Sequence, residues 1–148
     1  MQERFETFTV LINRISRNIR RIKNQEMAEY NLRSAHVSCL YYIYSLTDAT
    51  ATDLCERCEE DKATISRALD FLETNGYISR ESEVSKRYKS PLQLTHKGLE
   101  VGKRIADKID GVLDAISGGL TEEERVAFYR SLSIISESLE AVSKSGGK

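Results

Sequence analysis

Two histidines, three cysteines and one proline in 148 residues leave little from which to build several familiar kinds of site. A single proline in a chain that is 40% hydrophobic and 30% charged excludes a proline-rich or disordered linker and indicates a globular fold of about one domain. No stretch approaches the ~20 apolar residues of a spanning helix, and the start, MQERFETFTV, lacks the basic head and apolar core of a signal peptide. The expectation is a cytoplasmic protein with no membrane partner. An odd cysteine count does not make a disulfide framework and fits a reducing compartment. His36 and His96 lie in unrelated segments, and there is no Gly-rich phosphate loop, nucleophile elbow or His-Glu metal motif. No enzyme activity, cofactor or metal is therefore expected.

A formal net charge of −1 does not by itself suggest nucleic acid, whose binders carry a basic footprint. The charge is segregated, however. Lys62 to Lys97 carries a local balance of +3, and the residues from Gly98 onward carry −2.

The apolar residues Phe5, Phe8, Ile12, Ile15, Ile19 and Ile22 repeat every three or four positions, the spacing of a helix with a narrow stripe. Such a stripe either covers its own core or meets a second copy of the chain, and its regularity favours the second. From Ser34 to about Leu46 the pattern is apolar over most of a helix, as in the centre of a small domain. Tyr41, Tyr42 and Tyr44 on it, with Tyr30 before it, read as core first and as the lining of a small-molecule cavity second. Thr50 followed by Asp53 reads as a capping box, and Asp61 as the cap of a helix starting at Lys62. That second helix carries Ile65, Ala68, Leu69 and Leu72 on one face, and Asn75-Gly76 closes it. Two short helices about a tight turn form a helix-turn-helix. Tyr77 to Arg80 and Leu92 to Thr95 read as a two-stranded hairpin, with Pro91 at a strand entry. Thr95 caps a long helix ended by Gly118-Gly119, and Thr121 with Glu124 caps the last one.

The segments DLCERCEEDKATISRALDFLETNGYISRE and KRYKSPLQLTHKG resemble the MarR family of bacterial transcription regulators, and the flanking helices match its layout. The resemblance implies a mainly α winged helix-turn-helix of about six helices plus a two-stranded β-wing, its N- and C-terminal helices forming a dimerisation region. It implies a dimerisation helix over residues 1–33, a DNA-binding lobe over 34–98 and a helical dimerisation hairpin over 99–148. The implied function is a homodimeric regulator, a repressor, on a pseudo-palindromic site in double-stranded DNA. Many relatives are released by small phenolic or lipophilic compounds, and on that likeness Arg14, Tyr30, Tyr41 and Tyr44 are candidate effector-binding residues.

Physical argument gives the DNA residues. A helix entering the major groove needs short polar or basic side chains on its exposed N-terminal face. Lys62, Ala63, Thr64, Ser66 and Arg67 meet that need, Thr64 and Arg67 toward base edges and Lys62 and Ser66 toward phosphates. Lys86, Arg87 and Lys89 form a cationic wing tip suited to phosphates and to the narrow minor groove. The chain departs from the family in two places. Ser85 stands where an Asp usually precedes the wing Arg, a register that also needs one extra residue near Pro91, and Glu59-Glu60-Asp61 replaces a Gly and an apolar residue in the turn.

Two other readings remain open. A winged helix can be a protein-interaction module, which the basic wing disfavours. Cys55 and Cys58 form a Cys-x-x-Cys that suggests redox sensing or metal binding, against the blander reading of small buried thiols, and Cys39 falls on the central helix.

Overall fold

Two helices of the central region begin at a side chain that satisfies an orphan amide group. In the computed structural model, which describes residues 2–58, 60–80, 83, 86 and 88–146, Thr50 Oγ1 accepts from Asp53 N–H at 3.2 Å while the Asp53 carboxylate accepts from Thr50 N–H at 2.9 Å. That reciprocal pair opens α4 (Ala51–Arg57), and Asp61, accepting from Thr64 N–H at 2.6 Å, opens α5 (Lys62–Thr74). These follow α1 (Gln2–Phe5), a π-helical run (Glu6–Leu11), α2 (Ile12–Glu26), a short 3₁₀ turn (Ala28–Tyr30) and α3 (Ser34–Ser45). After α5 come β1 (Ile78–Ser79), β2 (Gln93–Leu94), α6 (His96–Ser117) and α7 (Glu122–Ser145).

The chain forms two compact units, Met1–Lys108 and Ile109–Lys148. In the first, Leu40 of α3, Leu54 of α4, Ile65, Leu69 and Leu72 of α5 and Ile105 of α6 are essentially inaccessible and make the core. As the periodicity predicts, Ile65, Ala68, Leu69 and Leu72 face inward. His36 of α3 stacks on Phe71 of α5 with ring centroids 4.2 Å apart, and its Nδ1 accepts from Arg33 N–H at 3.0 Å. In the second unit, Thr121 and Glu124 cap α7 reciprocally, and α7 buries no residue within the chain.

Three expectations need correction. The N-terminal stripe assumes an unbroken α-helix, whereas Glu6–Leu11 is π-helical; the wider turn shifts the phase and brings Leu11 onto the exposed apolar surface. The hairpin is shorter than expected, pairing only Ile78 with Leu94 and Ser79 with Gln93. Leu92 leaves the ladder because its N–H donates to the Ala49 carbonyl at 2.8 Å, fastening the wing's return strand to the loop before α4. Cys55 and Cys58 are partly exposed rather than buried; Cys39 alone of the three thiols is in the core.

The base of the wing is a polar knot. Gly76 closes α5 with φ of 76°, and Tyr77 N–H donates to the Leu72 carbonyl at 2.9 Å. The Thr95 hydroxyl lies 2.6 Å from the Gly76 carbonyl and 3.1 Å from that of Tyr77, and accepts from Gly98 N–H at 3.0 Å. A Cβ on Gly98 would stand 1.9 Å from the Tyr77 carbonyl oxygen. Gly98→Ala must therefore push α6 off the wing base, and a loss of roughly 1–3 kcal/mol or more is expected from overpacking against backbone. Denaturant unfolding measures it; an unchanged midpoint would contradict the close approach.

Burial, and secondarily the Arg33 charge, lowers the His36 pKa, so the stacked imidazole is neutral in the native state. Because the folded value lies below the unfolded one, its stabilising contribution is complete above pH 6.5, the ordinary value for histidine, and is lost as pH falls through the folded value. Thermal melts between pH 7.5 and 5 should show a smaller acid-induced drop for His36→Gln than for the native protein. Equal drops would show that His36 does not carry this pH dependence.

Candidate nucleic-acid interface

The N-terminal face of α5 is presented outward by the burial of its opposite side. Lys62, Ala63 and Arg67 are exposed, and Thr64 and Ser66 are partly so. Arg67 Nη2 donates to Thr64 Oγ1 at 3.3 Å, setting these side chains together one turn apart. The first four backbone N–H groups of any α-helix lack intrahelical partners, and Asp61 satisfies one of them here with an ionised carboxylate. Its pKa is lowered chiefly by the Thr64 amide hydrogen bond, so the cap is charged at neutral pH.

The wing reaches back to that helix. Lys62 Nζ lies 4.5 Å from the centroid of the Tyr88 ring, and the Tyr88 carbonyl accepts from Thr52 Oγ1 at 3.3 Å. Tyr88 thus connects the wing to the first turn of α5 and to α4. Lys89 is exposed, and Lys86 is paired with Glu83 at 2.8 Å. Arg87 and Ser85 lie outside the described residues, as does Glu59 of the acidic turn. Of the other two turn carboxylates, Asp61 is turned to the amide cap and Glu60 lies 4.0 Å from Arg20.

Arg80 is a residue that the sequence reading passed over. Its guanidinium, 8% exposed, donates from Nη2 to Asp70 at 2.6 Å and to Glu73 at 3.0 Å, so it joins the end of β1 to the outer face of α5. These two bonds, that to Glu73 first, raise its pKa further above the ordinary arginine range. Its buried Nε meets no acceptor among the described residues. The clue was available: Asp70 and Glu73 sit on one helical face, and an Arg follows a short strand, but nothing in the spacing says that the three meet.

The four candidate effector residues do not surround either of the described pockets. The Tyr30 hydroxyl accepts from Arg104, Tyr41 meets Tyr42 edge-on, the Tyr44 ring lies against Gly102, and Arg14 is exposed on α2. An open pocket along α2 is instead lined by Arg17, Arg20, Arg21, Asn24, Gln25 and Ala28. Among the described residues no cluster of His, Cys, Asp and Glu could hold a metal ion, and no helix is long and apolar enough to cross a membrane.

A helix-turn-helix with a capped, outward-facing second helix and a β-hairpin folded back on it is a winged helix-turn-helix. The model of the MarR family matches residues 30–87. A crystal structure of MarR is 30% identical, with 95% of each chain covered and a TM-score of 0.71. The chain belongs to the MarR family of transcription regulators, which are DNA-binding proteins and not enzymes. Two Staphylococcus aureus structures share the fold at 20% identity. The MepR–DNA complex has a TM-score of 0.78 over 89% of this chain and 97% of that one. MarR in complex with salicylate and kanamycin has a TM-score of 0.76 over 95% of this chain and 92% of that one. Curated protein sequences give no match.

Removing Arg80 should unfasten the wing root and leave Asp70 and Glu73 without their cation. Arg80→Ala is expected to lose about 1.5–3 kcal/mol of stability, the range for hydrogen bonds to charged groups. Chemical denaturation reads that loss, and a variant as stable as the native chain would show that the brace contributes nothing.

Proposed function

We propose that the protein is a homodimeric repressor that reads a pseudo-palindromic DNA site with α5 in the major groove and the wing alongside. The observation that carries this reading is the exposed Lys62–Arg67 face of α5, capped at Asp61 and tied to the wing through Tyr88. In this reading Thr64 and Arg67 approach base edges, Ala63 permits the close approach, and Lys62 and Ser66 meet phosphates. Lys86, Arg87 and Lys89 track the neighbouring backbone and minor groove. The structure of MepR with DNA supports this assignment by likeness of fold.

Pairing of two chains is supported by apolar surface that a single chain leaves uncovered. Phe5, Phe8, Leu11, Ile15 and Ile19 are each more than 40% exposed along the N-terminal helix, as are Val126, Phe128, Tyr129, Leu132 and Leu139 on α7. Residues 1–33 and 99–148 then serve dimerisation and 34–98 the DNA contact. Two α5 helices held about 34 Å apart match one turn of duplex. A small phenolic or lipophilic effector, of the kind bound in the salicylate complex, changes that spacing and releases the DNA. The effector residues on this reading are Arg14, Tyr30, Tyr41 and Tyr44. The protein acts in the cytoplasm.

Light scattering should give twice the 16.8 kDa chain mass; a monomer at micromolar concentration would contradict the dimer. Affinity for a duplex from the chain's own upstream region should fall steeply with salt, and Lys62→Ala should reduce the slope of log K against log salt by about 1. Arg67→Ala should cost roughly 1–3 kcal/mol and relax preference at one base pair. Loss spread evenly over all sequences would instead make Arg67 a phosphate contact.

A further inference from the structure

Lysine carries the wrong charge for the place that Lys62 occupies. It is the first residue of α5, where the amides of the opening turn bear a partial positive charge that disfavours a nearby ammonium. The wing supplies a counterweight. Lys62 Nζ stands 4.5 Å from the centroid of the Tyr88 ring, and the electron-rich face of an aromatic ring attracts a cation at that distance. Lys62 is exposed, while Tyr88 is partly buried. A contact of this kind engages one side of the ammonium and leaves N–H donors on the other.

The rest of the wing is fastened by backbone groups that a change of side chain at position 88 leaves in place. The Tyr88 carbonyl accepts from Thr52 Oγ1 at 3.3 Å, and Ser90 N–H donates to the Lys86 carbonyl at 3.0 Å. Leu92 N–H donates to the Ala49 carbonyl at 2.8 Å. These three fastenings do not need the ring. What the ring adds is its contact with Lys62, which restrains one of the side chains with the most rotamer freedom to lose.

We propose that Tyr88 is a positioning residue for DNA: its ring holds the Lys62 ammonium at the seam between the wing and α5, with the remaining donors turned outward to receive one backbone phosphate. The proposal rests on the regulator reading above, in which this seam faces the duplex. A lysine already held in place loses less freedom when a phosphate arrives. Without the ring, the helix end repels the ammonium and the side chain spreads over its rotamers, so the phosphate contact is made less often. A neutral residue thereby sets how many counterions DNA binding releases. Asp61, the neighbouring anion, does not compete for the ammonium's place on the ring, because its carboxylate is turned to the Thr64 amide.

The contact and its consequence are read by separate measurements on the full-length protein. In NMR spectra the ring current of Tyr88 should move the Lys62 ε-methylene protons upfield, an effect that persists in Tyr88→Phe and disappears in Tyr88→Leu. Affinity for a random-sequence duplex of ~30 bp is then followed across a range of salt, since phosphate contacts need no operator. Tyr88→Leu should bind about two- to fivefold more weakly at low salt and lower the slope of log K against log salt by about 1, as Lys62→Ala does. Tyr88→Phe should restore both affinity and slope. Added to Lys62→Ala, the change Tyr88→Leu should cost less than about a further twofold. A native slope in Tyr88→Leu would overturn the proposal, as would losses in the two single variants that add in full. Tyr88→Phe as weak as Tyr88→Leu would also overturn it, by making the phenol rather than the ring responsible. Unshifted Lys62 protons in the native protein would overturn the contact itself. Native protein that binds no duplex at low salt would overturn the regulator reading, while the NMR shift still decides whether the ring holds the lysine.

Discussion

The arrangement of the proposed DNA-facing surface depends on one junction, where Thr95 and Gly98 receive the backbone of Gly76 and Tyr77. Three elements meet there: the end of α5, the base of the wing and the start of α6. The Thr95 hydroxyl accepts an amide of α6 and reaches two carbonyls that α5 and the hairpin leave over, while Lys97 Nζ donates to the Asn75 carbonyl at 2.9 Å. Because carbonyls at a helix end need partners, satisfying them with the next helix fixes direction as well as energy. The absence of a Cβ at Gly98 permits the approach, and Arg80 holds the first strand to α5 a short way further along.

Electrostatics then decides what such a surface can do. A chain with net charge −1 has no general attraction for DNA, so its cations must be concentrated and its nearby anions occupied. Asp61 is occupied as a helix cap, Asp70 and Glu73 by Arg80, and Glu83 lies with Lys86. The exposed Lys62 and Arg67 are thereby left as the positive groups at the leading end of α5. This is how an acidic turn and a nearly neutral chain are compatible with a DNA-binding face.

Much of the fold was legible because its signals are local. Thr50, Asp61, Thr95 and Thr121 announce helix starts by their own side-chain chemistry, and Gly76 announces a left-handed closure. The signals that failed involve residues distant in sequence. The shortened hairpin follows from the bond between Leu92 and Ala49, the bracing of Arg80 from carboxylates seven and ten positions earlier, and the contact of Tyr88 from Lys62 on another element. The π-helical run at Glu6–Leu11 has no sequence mark, since its residues suit an α-helix equally well. The four residues suggested by family likeness for an effector share no such local signal, and they occupy separate contacts in the fold.

The central claim is that two winged helices are displayed together on one face of DNA. Hydroxyl-radical footprinting on a duplex recovered by selection of bound genomic fragments tests it most directly. The account predicts two protected blocks related by a two-fold axis, centred about 10 bp apart, each flanked by weaker protection where a wing lies. A single unsymmetrical block would contradict it.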